Sequence, residues 1–292
     1  MPLVSGMWLL QWFVISLASA GVLGYLSLCF LFYQGQWQLL FHPSRSITTT
    51  PASLGVPFED VRFDTAADGV AQLDGWWIPG DPASLSAGRN AVTLLFLHDG
   101  RGSLSDAAPQ LKALHSLGVN LFAFDYRGFG LSASMHPSEK SVQEDAAAAV
   151  AYLAQRHRDR DALVLYGVGL GATIAAETYK DESARRHMIA GLVLDEPQPP
   201  ALTIVGRDPR ARLLPLKILM HDRFDLARQL EGDSIPTLFF QRPGEGLGDS
   251  YSAVPAGMRM LYEVKGPVPA YVDPGYLAEM RRFLERGDAM TR

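Results

Sequence analysis

Three short segments place reactive side chains beside glycine-rich turns, each directly after an apolar run typical of a buried strand. They read Leu97-His98-Asp99-Gly100-Arg101-Gly102, Asp125-Tyr126-Arg127-Gly128-Phe129-Gly130 and Tyr166-Gly167-Val168-Gly169-Leu170-Gly171. Because the carboxyl ends of parallel strands meet at one edge of an open α/β sheet, these segments are expected to lie together. Imidazole, carboxylate and backbone N–H groups in such a place are typical of nucleophilic or acid–base chemistry.

Histidine, the usual base in such chemistry, is missing from the last 71 residues of the chain. The seven histidines are His42, His98, His115, His136, His157, His187 and His221. A fourth strand end, Phe240-Gln241-Arg242-Pro243-Gly244-Glu245, contributes the carboxylate of Glu245. The single cysteine excludes a disulfide within the chain and a multi-cysteine zinc site. The glycine run 167/169/171 is GxGxG rather than the GxGxxG of dinucleotide-binding proteins. The sequence therefore predicts neither a metal nor a cofactor.

The elements that must position these segments are strands alternating with helices. Strands are predicted at Phe58–Asp64, Ala71–Ile78, Val92–His98, Asn120–Tyr126, Ala162–Tyr166, Ile189–Leu194, Pro236–Phe240 and Met258–Val264, and helices at Ser105–Leu117, Ser141–Arg156, Leu170–Lys180 and Gly275–Glu285. The middle strands are nearly continuous apolar runs, typical of parallel strands covered on both faces. The first two alternate more and are predicted to form an antiparallel edge. The pattern predicts an α/β fold with a mostly parallel sheet of about eight strands.

The longest connection between two core strands is Glu196–Asp233. An excursion of this length is expected to lie over the strand ends and cover a site there, as a cap does. It begins with three prolines and continues into a helical-looking stretch, Ile218–Leu230.

Charge divides the chain into two parts that suit different solvents. Lys and Arg number 26 and Asp and Glu 31, for a net charge of −5, which argues against nucleic-acid binding. Residues 1–44 contain none of these charged residues. Within them, Phe13–Phe32 is an uncharged run flanked by tryptophan and tyrosine, which predicts a single membrane-spanning helix with aromatic belts. We therefore divide the chain into an anchor with its juxtamembrane segment (1–44) and a globular domain (45–292).

Two features of the anchor have more than one interpretation. Ala18-Ser19-Ala20 resembles a signal-peptide cleavage site, but no Lys or Arg precedes the apolar run and the run continues well past Ala20. Ser16, Ala20 and Gly24 recur at every fourth position, so they are either a helix-pairing face for a homodimer or small residues of the kind common in membrane helices. The few nearby basic residues leave the side of the membrane on which the domain lies undetermined.

The motifs resemble the α/β-hydrolase superfamily in their order and spacing. A His-containing loop after the third strand, the DYRGFG turn after the fourth and the GVGLG turn after the fifth are similar to the family's pattern. So are Gln38-Leu39-Leu40-Phe41-His42-Pro43 and the LPLKILMHDRFD stretch, which resemble the membrane-anchored esterase- and peptidase-like branch. The resemblance covers roughly residues 36–288 and implies a serine nucleophile on a sharp elbow, followed by an acid and a histidine.

Two of those three catalytic residues are missing. Gly169 stands at the nucleophile position, and Pro269 or Ala270 stands where the family has its histidine. Glu245 matches the acid. In this family the histidine of the loop at His98 is mostly structural, and the resemblance implies that Asp125 and Arg127 brace loops.

The sequence thus predicts a hydrolase fold without serine-hydrolase catalysis. The expected remainder is a binding nest of backbone N–H groups from Asp99 or Gly100 and from Leu170, beside His98 and Arg101, for a small acyl or carboxylate ligand. The protein would then bind or scaffold at the membrane surface. Two alternatives remain. One is an active hydrolase of ester, thioester or peptide bonds with an unusual residue set, such as His98 with Asp99 or Glu245. The other is a purely structural membrane partner.

Overall fold

The computed structural model describes residues 6–65, 70, 72–81, 92–156, 162–181, 188–244, 247–266 and 268–290. Its helices are α1 (Gly6–Gly35), α2 (Trp37–Leu40), α3 (Leu104–His115), α4 (Glu139–Ala154), α5 (Leu170–Asp181), α6 (Ala201–Gly206), α7 (Leu216–Leu219), α8 (Leu226–Leu230), α9 (Asp249–Ala253) and α10 (Tyr276–Met290). Its strands are β1 (His42–Pro43), β2 (Glu59–Phe63), β3 (Leu73–Ile78), β4 (Val92–Leu97), β5 (Arg101–Gly102), β6 (Asn120–Asp125), β7 (Ala162–Val168), β8 (Ile189–Asp195), β9 (Thr237–Gln241) and β10 (Arg259–Glu263). The eight predicted core strands and four predicted helices are all present, with most ends within two residues of the prediction.

Eight of the strands form one sheet in the order β10-β9-β8-β7-β4-β6-β3-β2. The β2–β3 and β3–β6 pairs are antiparallel and the other neighbours are parallel, which confirms the predicted antiparallel edge. At the centre, Leu95 of β4 pairs with Phe122 of β6 and with Leu165 of β7. The turns that follow these three strands therefore open side by side at one edge of the sheet.

Two apolar clusters cover the faces of the sheet. One contains the inward faces of α4 and α5, the segment after α1, and side chains of the cap between β8 and β9. The other contains the inward faces of α3 and α10. Side chains from both faces of β4, β6 and β7 are fully buried, which explains why their sequences read as continuous apolar runs.

The cap is built from short pieces rather than from the helix predicted over Ile218–Leu230, and that prediction is wrong. Helix α7 ends at Leu219 and α8 begins only at Leu226. Between them the Glu139 carboxylate accepts hydrogen bonds from the N–H groups of Arg223 (2.6 Å) and Phe224 (2.8 Å). Because these two N–H groups bond to a side chain of α4, they cannot make the backbone bonds that would continue a helix. Phe224 has a φ of 43°.

Helix α1 runs for 30 residues and contains the predicted span Phe13–Phe32. It is the one helix of the described residues that is long and apolar enough to cross a membrane, and its side chains are mostly exposed. Ser16, Ala20 and Gly24 are exposed along it, so the pairing face stays a prediction.

Residues just after α1 belong to the packed core. Gln36, Leu40 and Phe41 are each 5% exposed or less, and the last two lie in the cluster with α4 and α5. The strand β1 pairs in parallel with β5, next to the turn after β4. The globular packing therefore begins about ten residues before the predicted division at residues 44 and 45.

Candidate functional site

Gly169 forms the sharp turn between β7 and α5. Its φ is 59°, in the left-handed region, and its N–H donates to the Asp195 carbonyl at 2.9 Å. A residue with a side chain would be strained there by about 1–3 kcal/mol, whereas glycine adopts this conformation at little cost. The turn thus has the geometry of the sharp elbow predicted from the sequence, and it carries no side chain.

The glycines on either side of Gly169 are explained by close packing. A Cβ on Gly167 would lie 2.6 Å from the Ala172 Cα, and a Cβ on Gly171 would lie 2.7 Å from the His98 carbonyl oxygen. Real Cβ atoms do not approach other atoms so closely. The GxGxG run therefore allows helix α5 to pack tightly against β4 and β7, and needs no bound nucleotide to explain it.

The carboxylate of Asp99 fills the space in front of Gly169. Its Oδ1 accepts hydrogen bonds from the Leu170 N–H and from the Gln198 side-chain amide, both at 3.0 Å. A Cβ built on Gly169 would lie 2.6 Å from the Asp99 Cγ and closer still to Oδ1. The first N–H groups of a helix lack intrahelical partners and lie at its positive end, so a carboxylate there is stabilised. Asp99, from the turn after β4, supplies that acceptor to α5.

This arrangement corrects the expectation of an open binding nest. The Leu170 N–H, which was expected to bind a ligand oxygen, already bonds to Asp99. Gly100 is buried, and its carbonyl accepts the His42 N–H at 2.7 Å. Arg101 lies in β5 with an exposed side chain that forms no ion pair within the described residues. The predicted residues are close together, but the Asp99 carboxylate occupies the position at which a ligand oxygen was expected.

His98 is buried and electrically neutral. Its Nδ1 lies 2.6 Å from the Asp99 carbonyl, to which it donates, and its ring packs against Tyr126 and Phe129. Burial lowers the pKa of His98 to about 4. Its Nε2 is 3.6 Å from Asp125 Oδ1, beyond hydrogen-bond distance. The ring thus faces Asp125 and has the packing of a structural histidine.

Asp125 and Arg127 hold the turn after β6 to the helices around it. Asp125 Oδ1 accepts the Leu104 N–H at the start of α3 (2.9 Å), and burial raises the pKa of Asp125 to about 7. Arg127 donates through Nε to Asp145 Oδ1 (2.5 Å) and through its backbone N–H to Asp145 Oδ2 (2.8 Å). These bonds correspond to the bracing role that the resemblance implies.

The position expected for the histidine contains no base among the described residues. Ala270 is buried in a short 3-10 helix, Ala270–Val272, and Pro269 immediately precedes it. The Asp273 carboxylate closes this loop by accepting from the Lys265 N–H, the Gly275 N–H and the Tyr262 hydroxyl. These hydrogen bonds, with that from Tyr262 the strongest, lower the pKa of Asp273. Glu245, the predicted acid, lies outside the described residues.

A buried polar network beneath the elbow was not anticipated from the sequence. Asp195 Oδ2 accepts from the Tyr166 hydroxyl (2.5 Å) and the Gln110 amide (2.7 Å), and the Tyr166 and Tyr276 hydroxyls lie 2.5 Å apart. Burial raises the pKa of Asp195 to about 7. The only sequence signal for this network was a carboxylate at the end of an apolar strand. Among the described residues, no three His, Cys, Asp or Glu side chains are grouped so that they could hold a metal ion.

A cavity of about 540 Å³ lies under the cap, beside Gln198. Its walls come from the start and end of the cap and from the segment at the start of α9. Gln198 lines this cavity and also bonds to Asp99, so the amide stands between the open space and the elbow.

Comparisons with known proteins agree with this fold. The family model described as serine aminopeptidase, S33, matches residues 89–232. An uncharacterized protein of Mycobacterium tuberculosis is 28% identical over 265 residues, which are 90% of this chain and 85% of the relative. The α/β-hydrolase domain-containing protein WAV2 of Arabidopsis thaliana is 28% identical over 165 residues, covering 56% of this chain and half of WAV2.

Solved structures show the same fold at low sequence identity. The esterase Pf2001 of Pyrococcus furiosus is 18% identical, with 85% of this chain and 98% of the esterase covered and a TM-score of 0.62. An α/β-hydrolase of Vibrio vulnificus is 19% identical, with 83% and 88% covered and a TM-score of 0.64. The predicted α/β-hydrolase fold is confirmed.

Proposed function

We propose that the chain is a membrane-anchored member of the α/β-hydrolase superfamily that has lost serine-hydrolase catalysis and acts in binding or scaffolding, a proposal supported by its fold and by the family model that matches residues 89–232. The observation that carries this proposal is the elbow itself. Gly169 offers no nucleophile, and the Asp99 carboxylate fills the space and takes the Leu170 N–H.

The charge of Asp99 opposes the reaction that this fold supports elsewhere. Acyl transfer by a serine enzyme develops negative charge on an oxygen that backbone N–H groups stabilise. Here a negative oxygen already accepts the Leu170 N–H, so an oxyanion would meet a carboxylate in place of a free donor. Placing a serine at 169 would therefore not restore the site.

The pairing of His98 with Asp99 that was considered from the sequence gains no support from the contacts. The His98 ring faces Asp125 instead of the Asp99 carboxylate, and it is buried among aromatic rings. The Asp99 carboxylate is held by two hydrogen bonds from Leu170 and Gln198.

Esterase assays on the full-length protein in detergent test the loss of catalysis. We expect the hydrolysis of short-chain p-nitrophenyl esters to equal that of heat-denatured protein. The His98→Ala and Asp99→Ala variants are the matched controls. Turnover above the denatured sample that either variant abolishes would contradict the proposal and support a non-standard active site.

Ligand binding at the elbow is tested by removing the internal carboxylate. We expect short carboxylates and acyl amides to leave the melting temperature of the wild-type protein unchanged. In Asp99→Ala the Leu170 N–H is free to bind an oxygen, so the same ligands should raise the melting temperature. The Asp106→Ala variant, which lacks a carboxylate at the start of α3, is the control. An equal shift in wild type and Asp99→Ala would mean that binding occurs elsewhere.

The membrane anchor is tested separately. The apolar length of α1 supports a single-pass anchor, with membrane lipid as the partner of the helix. The full-length protein should stay with membranes after alkaline carbonate extraction. Its release into the soluble fraction would exclude an integral anchor.

A further inference from the structure

We propose that residues 207–219 of the cap form a lipid-facing edge that rests on an anionic phospholipid surface beside helix α1. The inference rests on the anchor proposed above and adds a second, electrostatic contact with the membrane. It concerns a part of the molecule distinct from the elbow.

The lipid-facing edge is fixed at two places, to the anchor helix α1 and to the residue that directly follows it. The Tyr25 hydroxyl donates to the Leu213 carbonyl at 3.1 Å. About three turns further along the chain, the Gln36 amide donates to the Leu219 carbonyl (3.1 Å) and accepts the His221 N–H (3.2 Å). The cap therefore lies alongside the last third of α1 and does not hang free beneath it.

The length of α1 places the edge at the bilayer. A helix needs about 20 residues to cross the hydrocarbon core. Any such span within Gly6–Gly35 ends at Tyr25 or later. The Leu213 backbone, which bonds to Tyr25, therefore lies at the boundary of the hydrocarbon or inside it. The free face of α1 beyond Tyr25 is also apolar, with Leu26, Phe30 and Leu31 each more than half exposed.

The side chains of the edge suit this position. Leu213 is 73% exposed and Ile218 is 82% exposed, which places two large apolar groups on the surface. The exposed basic residues of the edge are Arg207, Arg210, Arg212 and Lys217, in a chain whose net charge is −5. Its one acidic residue, Asp208, accepts the Arg210 N–H at 2.8 Å. Exposed apolar side chains among basic ones are typical of segments that bind the interface of anionic membranes.

A groove on the same edge has room for part of a lipid. Its volume is about 560 Å³, and its walls are formed mainly by apolar residues of the cap. Arg212 and Lys217 also line it. An apolar groove with two cations matches a phospholipid, whose acyl chain is apolar and whose headgroup carries the phosphate.

Fluorescence quenching in lipid nanodiscs tests the proposal on the full-length protein. In a Cys29→Ala background, Ile218→Cys is labelled with an environment-sensitive dye, and headgroup-proximal spin-labelled lipids serve as quenchers. The matched control is Val272→Cys, which is also exposed but lies beside the α3 and α10 face of the sheet. In nanodiscs of phosphatidylcholine with phosphatidylglycerol, we expect at least threefold stronger quenching at 218 than at 272. Equal quenching at the two positions would overturn the proposal.

The contribution of the basic residues to the contact with anionic lipid is tested by removing their charges. In the 218-labelled protein, Arg210→Ala, Arg212→Ala and Lys217→Ala together should weaken the quenching, with a roughly fivefold loss in the docking equilibrium for each basic residue removed. Arg281→Ala with Arg286→Ala on α10 should leave it unchanged. Wild-type quenching that is the same in pure phosphatidylcholine would overturn the role of the anionic headgroup.

A failure of the proposed membrane anchor would give a different result from a failure of the lipid-facing edge. A chain that does not co-float with lipid vesicles contradicts the anchor, whereas a chain that floats with an unquenched label at 218 contradicts only the lipid-facing edge.

Discussion

Two turns at the same edge of the sheet, on either side of the turn after β4, differ in how their polar groups are used. In the turn after β6 the polar side chains are paired. Arg127 donates to Asp145, and Asp125 accepts a hydrogen bond from the first turn of α3. The turn after β7 lacks the side chain on which the chemistry of this fold depends, and Asp99 fills the space. The first turn stabilises the fold, while the second is a sharp strand–helix turn that, in the proposed function, has lost its reactive group.

The difference shows that the scaffold does not depend on the catalytic residues. Buried charges must be paired, so loss of a bracing residue leaves an uncompensated group in the core. A catalytic serine at a strained turn stabilises nothing, and glycine relieves the strain. A chain can therefore keep the complete hydrolase sheet after the nucleophile is gone.

The largest effect on stability is expected when the ion pair between Arg127 and Asp145 is removed. The Asp145 side chain is fully buried, and Arg127→Ala would remove its charged partner and leave the carboxylate with only the backbone N–H of residue 127. We expect the free energy of unfolding to fall by about 3 kcal/mol, measured by chemical denaturation in detergent. The control is Lys140→Ala. The Lys140 side chain is 87% exposed and that of its ion-pair partner Glu144 is 48% exposed, so the loss of this pair should cost less than about 1 kcal/mol. Equal losses would remove the distinction between bracing and surface ion pairs.

A smaller effect is expected at the elbow. Gly169→Ser should lower the free energy of unfolding by about 1 kcal/mol through backbone strain, and further through collision with the Asp99 carboxylate. In an Asp99→Ala background only the strain should remain. Gly55→Ser is the matched control, because its φ is 78° and no atom lies within 4 Å of its Cβ position.

The double-mutant cycle separates the two causes at the elbow. A coupling of about 1 kcal/mol or more between positions 99 and 169 is expected for residues in direct contact. Additive effects, or a rise in melting temperature on Gly169→Ser, would contradict the position assigned to Asp99.

A separate, pH-dependent effect on stability is expected from Asp195, which lies beneath the elbow. Burial raises the pKa of Asp195 to about 7, so between about pH 4 and 7 the folded chain retains a proton that the unfolded chain has released. The contribution of this group to stability is thus fully present at low pH and is lost as the pH rises through 7. Asp195→Asn removes the loss, so its melting temperature relative to wild type should rise between pH 5 and pH 8.

Comparing Asp195→Asn with the wild-type protein separates the effect of Asp195 from that of His98, whose protonation changes stability with pH in the opposite direction. Burial lowers the pKa of His98 to about 4, so its contribution is present above about pH 6.5 and is lost as the pH falls. His98 is unchanged in both proteins and cancels in the difference. The exposed Asp249→Asn is the control and should show no such trend. A pH-independent difference for Asp195→Asn would mean that Asp195 is ionised throughout this range.

The sequence predicted the strands and the elbow because their signals are local. Continuous apolar runs identify β4, β6, β7 and β8, and the glycines around position 169 mark a turn that only small residues can form. The role of Asp99 could not be read in this way. Its partners, Leu170 and Gln198, are 71 and 99 residues away in the chain, and only the order of strands in the sheet brings them together.

The cap escaped prediction for a related reason. Met220–Asp225 lies within a stretch whose sequence favours a helix, yet the Glu139 carboxylate of α4 takes two of its backbone N–H groups. A tertiary hydrogen bond overrides the local preference there, and no local pattern reveals it. Gln36 joins the anchor helix to the cap in the same long-range manner.

The central claim is that the elbow contains no activated nucleophile, and covalent labelling tests it most directly. The full-length protein is treated in detergent with a fluorophosphonate, which forms an adduct with activated serine residues, and its intact mass is measured. We predict no mass increase in the wild-type protein or in Gly169→Ser, because the serine of that variant would have no histidine base and would face the Asp99 carboxylate. A stoichiometric adduct on the wild-type chain, mapped by peptide sequencing to any residue near the elbow, would contradict the account.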